Sequence, residues 1–261
     1  MNVFISTDME GISGVSMLNE VMWDCPEYQH GRERLMADVN AAVSAAFDAG
    51  AEKVYVSDGH GKGTNFIEGK LDKRATQVWI QDLSWVMKDV EAVVELGNHA
   101  MSGTQGAFLD HTQWSMGIHH YLYNGERMGE VMQMAIFAGR FGVPIVAVTG
   151  DKHACEEAKR FFGESVALGC VKVAKKRNIA DCMPNEEAEK IVYETVKKGI
   201  ENRKNCKPII MQLPFEIKVE FNRCDFCEDA CATSEDIERV DAFTARVIRT
   251  QLEKYKDALL Y

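Results

Sequence analysis

Short apolar runs alternate along the chain with longer segments in which apolar residues recur at helical spacing. The short runs predict strands over residues 3–6, 53–57, 92–96, 143–149 and 166–174. The longer segments predict helices over residues 28–49, 129–141, 153–162 and 185–202. This alternation is typical of an α/β protein with a largely parallel central sheet flanked by helices.

The chain has 261 residues, a length that suits one large domain or one domain with a smaller appendage. We expect a metal-binding α/β domain over residues 1–150 and a smaller C-terminal α/β portion over residues 151–261, which could be continuous with the first. An Asn-Gly pair predicts a hairpin over residues 121–126. Further patterns predict a surface loop over residues 100–112, a strand over residues 208–221 and a C-terminal helix from about residue 236 to 260.

Composition and charge describe a soluble globular protein and argue against two classes of partner. The chain is 46% hydrophobic and 27% charged, with a formal net charge of −10. Nucleic-acid binding is not expected, because it needs a clustered basic surface; the one basic run, from Lys172 to Arg177, is predicted to be a solvated strand exit. A membrane is not expected either, since no stretch approaches the roughly 20 apolar residues of a span.

The N-terminal residues enter a predicted strand at once and show no signal-peptide pattern. Eight cysteines in such a chain are expected to be reduced thiols rather than a disulfide framework. We therefore expect a cytoplasmic protein. Whether Cys224, Cys227 and Cys231 bind anything stays open, although three thiols without a fourth ligand favour a strand-to-helix turn with incidental cysteines.

Acidic and histidine side chains follow the ends of the first three predicted strands. Asp8 and Glu10 come after the first strand, His60 after the second and His99 after the third, while Glu130 begins a later helix. Ligands of open α/β sheets sit beyond the carboxyl ends of the strands. Two carboxylates two residues apart in extended chain point the same way, which is unfavourable unless a cation joins them. Carboxylate and imidazole ligands suit zinc, or manganese or cobalt as substitutes.

Five such ligands exceed what one open tetrahedral metal needs, so the set predicts two metals that share a bridging carboxylate. Three carboxylates, two divalent ions and one bridging hydroxide sum to a neutral cluster, which can be partly buried. Centres of this kind activate water for hydrolysis. Simpler alternatives remain open for each residue alone: a helix cap for Asp8, a dipole contact for Glu130 and a solvated loop position for either histidine.

His111 is the candidate catalytic residue, since it closes the polar loop that follows His99. An imidazole that does not ligate metal could deliver a proton to a leaving amine or polarise a carbonyl. The neighbouring Asp110 is expected to orient it. The alternative is that His111 only hydrogen-bonds its own loop. His119 and His120 lie on an alternating strand, so we expect one to face inward and the other outward, without an obvious partner.

Five separated segments resemble, in order, those of the D-aminopeptidase (DppA) family of metallopeptidases, also called peptidase family M55. They are STDMEG (6–11), SDGH (57–60), LGNHA (96–100), DHT (110–112) and NGE with GE (124–126 and 129–130). The resemblance implies a cytoplasmic aminopeptidase with two zinc ions per chain. It places the zinc ligands at Asp8, Glu10, His60, His99 and Glu130, with Asp8 as the bridge, and the catalytic histidine at His111. It also implies a homodecamer of two stacked five-membered rings.

The expected function is removal of the N-terminal residue from short peptides by attack of a metal-bound hydroxide, with D-residues favoured. An amidase or an L-aminopeptidase on the same scaffold is the alternative among enzymes. The alternative from another class is a peptide-binding metalloprotein without turnover.

Overall fold

The computed structural model describes residues 1–260, which form two β-sheets and the helices that pack against them. The strands are β1 (Asn2–Thr7), β2 (Lys53–Asp58), β3 (Ala75–Gln77), β4 (Ala92–Asn98), β5 (Ile118–Tyr123), β6 (Glu126–Arg127), β7 (Ile145–Asp151), β8 (Ala167–Lys176), β9 (Ile179–Cys182), β10 (Phe215–Phe221), β11 (Glu238–Arg239) and β12 (Thr244–Arg249). The α-helices are α1 (Tyr28–Asp48), α2 (Ser84–Met87), α3 (Glu130–Arg140), α4 (Lys152–Phe162), α5 (Asn185–Glu201) and α6 (Cys224–Ala232).

The larger sheet confirms the predicted fold class. Its strands lie in the order β3-β2-β1-β4-β7-β8-β9 and run parallel, except that β9 is antiparallel to β8. The predicted helices flank it. Helix α1 ends one residue before the predicted boundary, and Gly50 follows with a φ of 92°, the left-handed conformation that closes many helices. The smaller sheet is antiparallel and has the order β11-β12-β10-β5-β6.

Both sheets combine strands from either side of residue 150. In the larger sheet β7 pairs with β8, and in the smaller sheet β5 pairs with β10. Each sheet is therefore completed only by the second half of the chain. This pairing favours the alternative in which the C-terminal portion is continuous with the N-terminal one.

Two apolar cores cover the two faces of the larger sheet. Residues of α1 and α5 pack with Val3 and Ile5 of β1 on one face. On the other face, Phe4 of β1 shares a core with α3 and with the inward side of the smaller sheet. Every residue of β4 is buried, as expected for a central strand covered on both faces. This enclosure leaves the strand ends as the place where a site can open.

The predicted C-terminal helix is wrong. The region forms strands β11 and β12 and a short 3-10 helix, Tyr255–Ala258, within the described residues. In β12 the buried residues Ala245 and Val247 alternate with more exposed neighbours, and the strand pairs with β10. The local sequence is compatible with a helix or a strand, and pairing with the distant strand β10 selects the strand. The predicted strand 208–221 is limited to Phe215–Phe221, and the thiol-rich segment forms α6.

The predicted hairpin is confirmed, with Asn124 and Gly125 in left-handed conformation between β5 and β6. Over residues 1–260, none of the helices combines the length and the apolar character that crossing a bilayer requires.

Candidate metal centre

The site lies where the connectivity of the larger sheet changes direction. Strand β1 is flanked by β2 on one side and β4 on the other, so the chain leaves β1 and β4 beside a crevice at their carboxyl ends. The two loops that leave these strands are hydrogen-bonded to each other. The amide of Asp8 donates to the carbonyl of Leu96 at 2.8 Å, and the amide of Gly11 donates to that of Gly97 at 2.7 Å.

Two glycines permit this close approach. Gly97 has a φ of 76°, and a Cβ atom there would lie 2.4 Å from Cδ1 of Ile12 and 2.6 Å from the carbonyl oxygen of Asp8. A Cβ atom on Gly11 would lie 2.1 Å from the carbonyl oxygen of Asn98. Any larger residue would push the two loops apart, so the spacing of the site depends on both positions.

The five side chains predicted as metal ligands converge at this crevice. Asp8 lies between two histidines: its Oδ1 is 3.2 Å from Nδ1 of His60, and its Oδ2 is 3.3 Å from Nε2 of His99. Glu10 completes the first pair, with Oε2 3.1 Å from Nδ1 of His60. Glu130 completes the second, with Oε1 3.6 Å from Nε2 of His99. The carboxylate of Asp8 therefore belongs to both halves of the cluster.

Main-chain carbonyls hold the far nitrogen of each histidine. Nε2 of His60 is 3.0 Å from the carbonyl oxygen of Val21, and Nδ1 of His99 is 3.0 Å from that of Ala100. A carbonyl only accepts, so the nitrogen beside it carries the proton when the ring is neutral. The nitrogen that faces the carboxylates is then a lone-pair donor, the form in which imidazole binds a metal.

The electrostatics of the cluster are those of closely packed opposite charges. Burial alone would raise the pKa of Asp8, but contact with His60 and His99 outweighs it and holds that pKa well below its usual value. Burial alone would lower the pKa of both histidines, and the neighbouring carboxylates instead raise it well above the usual value. Without another cation, the carboxylates depend on protonated imidazoles for charge balance.

The donor set fits divalent metal. Nε2 of His99 is buried and makes no hydrogen bond within residues 1–260, because its approach to Asp8 is poorly aligned. The ion pairs described for Asp8, Glu10 and Glu130 all involve histidine. One set of ligand atoms within 4.8 Å of each other comes from Asp8, Glu10 and His99, and another from His99, His111 and Glu130. Oxygen and nitrogen ligands without thiolate suit zinc, manganese or cobalt.

His111 lies at the edge of the same cluster. Its ring stacks on that of His99, with centroids 3.9 Å apart and planes inclined by 11°. Nδ1 is 2.8 Å from the carbonyl oxygen of Leu109, and Nε2 lies 3.8 Å from Oε1 of Glu130. The imidazole therefore presents Nε2 to the cluster from a position fixed by its own loop.

Asp110 does not orient His111, contrary to the expectation. Its carboxylate accepts hydrogen bonds from the amide of Gly103 and the guanidinium of Arg177 and so ties the loop together. The predicted surface loop 100–112 lacks regular structure, as expected, but it is not wholly superficial. Phe108 and Leu109 are buried, which anchors the segment that carries His111.

Lys172 is a supporting residue that sequence reasoning missed. The sequence predicts a solvated strand exit here, yet the side chain of Lys172 is buried. Its ammonium donates to the carbonyl oxygens of Glu10 at 2.7 Å and Val15 at 2.5 Å. Burial lowers its pKa to about 8. The basic run therefore contains one internal residue that holds the Glu10 loop, and no local signal distinguished it from its exposed neighbours.

A cavity of about 480 Å³ opens beside the cluster. Asp8, Glu10, His60, His111 and Glu130 line one part of it. Its remaining walls combine apolar side chains, such as those of Met22, Ile80, Trp114, Met134 and Leu259, with polar ones. A small organic substrate could enter this space with one reacting bond at the cluster and an apolar group against the walls.

Two other groups of ligand-type residues lie outside this site. As predicted, His119 is exposed and His120 is buried, but His120 does have a partner, since its Nδ1 is 2.9 Å from Oε2 of Glu220. The two imidazole rings lie 3.9 Å apart. The thiols of Cys224, Cys227 and Cys231 lie on α6 as free cysteines. Within the described part of the chain, no group of three possible metal ligands includes a thiol.

Carboxylates and imidazoles at the switch point of an α/β sheet are the arrangement expected of a metal-dependent hydrolase. A family model described as D-aminopeptidase, of peptidase family M55, matches residues 1–260. The chain therefore belongs to the M55 D-aminopeptidase family, and its enzyme class is that of the metallo-aminopeptidases.

Two known proteins illustrate the relationship. A D-aminopeptidase of Bacillus subtilis (strain 168) is 29% identical over 214 residues, which cover 80% of this chain and 77% of that protein. The solved structure of the Zn-dependent D-aminopeptidase DppA from Bacillus subtilis, described as a self-compartmentalizing protease, superposes with a TM-score of 0.91 at 25% identity. The match covers 99% of this chain and 95% of that one.

Proposed function

We propose that this protein is a binuclear zinc aminopeptidase that removes the N-terminal residue from short peptides and favours D-residues. The observation that carries the proposal is the position of Asp8, which offers one oxygen to each of two histidine–carboxylate pairs. A carboxylate shared in this way is the arrangement expected of a bridging ligand between two metal ions. The matching family and the zinc dependence of the solved relative support the choice of metal and reaction.

Each proposed metal position has its own ligands. His60 and Glu10 would hold one zinc, His99 and Glu130 the other, and Asp8 would bridge them. When bound, two zinc ions supply Lewis acidity, which polarises a carbonyl and makes water a nucleophile at neutral pH. The main-chain contacts of His60 and His99 orient the rings and place the proton of the neutral imidazole on the far nitrogen, so the metal-facing nitrogen can offer its lone pair.

His111 is proposed to move the proton that the leaving amine requires. Its Nδ1 lies against the carbonyl of Leu109, so Nε2 is the nitrogen that faces the cluster and the cavity. A proton held there can pass to the amine nitrogen as the peptide bond breaks. The stacked ring of His99 limits rotation of His111 and keeps Nε2 directed at the cluster.

The test combines metal analysis with a substrate panel. Purified protein loaded with zinc and passed through a desalting column is expected to retain about two zinc ions per chain. It is then expected to hydrolyse D-alanyl amides and D-alanyl dipeptides faster than the L-forms. Asp8→Ala is expected to lose both the zinc and the activity. Retention of two zinc ions by Asp8→Ala would contradict the bridge.

The panel also separates the alternatives. Equal or faster hydrolysis of L-substrates would replace the D-preference with an L-aminopeptidase. Activity on N-acetylated amides would indicate an amidase that does not require a free amine. Stoichiometric zinc with no turnover of any panel member would favour a peptide-binding metalloprotein.

We propose a homo-oligomer, and specifically a decamer of two five-membered rings, as the assembly. The description of the solved relative as self-compartmentalizing supports a closed assembly of copies that would restrict entry to short peptides. Multi-angle light scattering of the purified protein tests this directly. A mass near ten times 29.3 kDa is expected, and a monomer would contradict it.

A further inference from the structure

Glu95 is a buried carboxylate that the proposed zinc cluster does not use. It lies in the middle of β4, its residue is 2% exposed, and it lines the same cavity as Asp8 and Glu130. Its Oε2 accepts a hydrogen bond of 3.2 Å from the side-chain amide of Asn98. Its Oε1 has no hydrogen-bond partner among residues 1–260.

The strand register locates Glu95 relative to the cluster. Glu95 pairs with Ser6 of β1, which precedes Asp8 by two residues and also lines the cavity. Residues two apart in extended chain face the same side. Glu95 therefore lies one step below the cluster, in the part of the cavity lined by Ser6, Glu95 and Asn98, which we call the cavity floor.

Two buried acceptor atoms at the cavity floor have no hydrogen-bond partner within the described chain. They are Oε1 of Glu95 and Oδ1 of Asn98. Burial raises the pKa of Glu95 well above the usual value, and the charges of Asp8 and Glu130 add to the effect. Nor does any ion pair described for residues 1–260 give Glu95 a cationic partner. A buried carboxylate in this situation is strongly stabilised by any cation that reaches it.

We propose that Glu95 binds a primary ammonium group of the substrate at the cavity floor, an inference that rests on the proposed function. An ammonium carries three N–H donors and one positive charge. It would supply donors to Oε1 of Glu95 and Oδ1 of Asn98 together and would neutralise the carboxylate. Charge-assisted hydrogen bonds of this kind are about twice as strong as neutral ones. Glu95 is thus a determinant of substrate selection rather than a metal ligand.

The ammonium has two possible sources in an aminopeptidase substrate. One is the free α-amine of the N-terminal residue, and the other is a side-chain amine such as that of lysine. Four ligands with the same six-carbon skeleton separate them: hexanoate has no ammonium, D-norleucine only the α-ammonium, 6-aminohexanoate only the terminal one, and D-lysine both. Isothermal titration calorimetry of each ligand with the zinc-loaded enzyme measures binding without turnover.

The variant is Glu95→Gln, which keeps shape and removes charge. Its matched control is Glu157→Gln, because Glu157 is also a buried glutamate with an unpartnered Oε1 but does not line the cavity. The wild-type enzyme is expected to bind D-norleucine or 6-aminohexanoate about tenfold or more tightly than hexanoate. Glu95→Gln is expected to abolish that preference, and Glu157→Gln to retain it.

The ligand that the wild-type enzyme prefers shows which amine of the substrate supplies the ammonium group. Preference for D-norleucine assigns the α-amine, and preference for 6-aminohexanoate assigns a basic side chain. An unchanged preference in Glu95→Gln, or equal binding of all four ligands by the wild-type enzyme, overturns the proposal. Equal binding of the four ligands by the wild-type enzyme overturns the proposal even if the variant does not fold. Zinc content and hydrolysis by the wild-type enzyme, measured separately, show whether the proposed function itself has failed.

Discussion

The ammonium of Lys172 donates a hydrogen bond of 2.7 Å to the backbone carbonyl of Glu10, across 162 positions of sequence. The bond joins β8 to the loop that carries two of the proposed metal ligands. The same ammonium reaches the carbonyl of Val15, so one buried cation fixes both ends of that loop. The position of Glu10 therefore depends on a residue far outside the acidic motif.

Lys172→Met is expected to loosen the Glu10 loop, because it leaves two carbonyls without a donor. We expect a loss of roughly 2 kcal/mol in unfolding free energy, measured with urea, and weaker zinc binding in a chelator competition. Lys176→Met is the control, since Lys176 lies exposed at the end of the same strand. Equal zinc affinity in both variants would show that Lys172 supports the fold alone.

His111→Ala is expected to retain zinc and lose activity. Removal of a general acid lowers kcat by about 10²- to 10⁴-fold. Zinc content after desalting and kcat on D-alanyl amides give the two readouts. His119→Ala, which alters an exposed histidine outside the site, is the control. Loss of one zinc from His111→Ala would instead identify His111 as a ligand, as its proximity to His99 and Glu130 permits.

Gly97→Ala is expected to open the gap between the two loops of the site. The new methyl group would meet Ile12 and the carbonyl of Asp8, both closer than 3 Å. Gly125→Ala provides the matched control, because Gly125 also has a positive φ but has open space around it. We expect Gly97→Ala to cost about 1–3 kcal/mol more than the control in urea unfolding and to lower zinc affinity. Equal losses of stability and zinc affinity in the two variants would show that the positive φ, and not the contact between the loops, causes the effect.

Glu157→Gln is expected to stabilise the zinc-free protein at alkaline pH. Burial raises the pKa of Glu157 to about 7 from a reference of 4.5. Below about pH 4.5 the Glu157 carboxyl is protonated in both the folded and the unfolded chain. Between about pH 4.5 and 7 it is protonated only in the folded chain. The contribution of Glu157 to the free energy of unfolding therefore falls as pH rises and is lost as the pH passes through about 7. The free energy of unfolding is measured with urea at pH 5 and at pH 8. The difference between Glu157→Gln and the wild-type protein should shift in favour of the variant by up to about 3 kcal/mol from pH 5 to pH 8. A pH-independent difference would contradict the buried charge.

Asp8, Glu10, His60 and His99 were predictable from sequence because they follow strands of a parallel sheet, and Glu130 because it begins a helix. Their convergence needed only the rule that strand ends of one sheet share an edge. Glu95 and Lys172 were not predictable. Glu95 interrupts an apolar strand and is identified only by the cavity beside it, and Lys172 resembles the exposed lysines that follow it until the fold encloses it.

Errors in the fold prediction have the same origin. Residues 244–249 contain apolar positions that suit a helix or a strand, and pairing with β10 selects the strand. The partner of His120 was missed for the same reason, because Glu220 lies 100 positions away in sequence. In each case the deciding interaction joins segments that are more than 20 residues apart in sequence. A local sequence pattern does not predict such an interaction.

The oxygens that fix His60 and His99 come from the peptide groups of residues 21 and 100. Every amino acid carries that oxygen, so exchange of either side chain leaves the contact intact wherever the loop keeps its path. The orientation of both imidazoles, and the nitrogen that each presents to the metal, therefore do not depend on which side chain stands at these two positions. Substitutions at positions 21 and 100 that leave the loop path unchanged should not alter metal uptake, whereas insertions or deletions in the same loops should alter it.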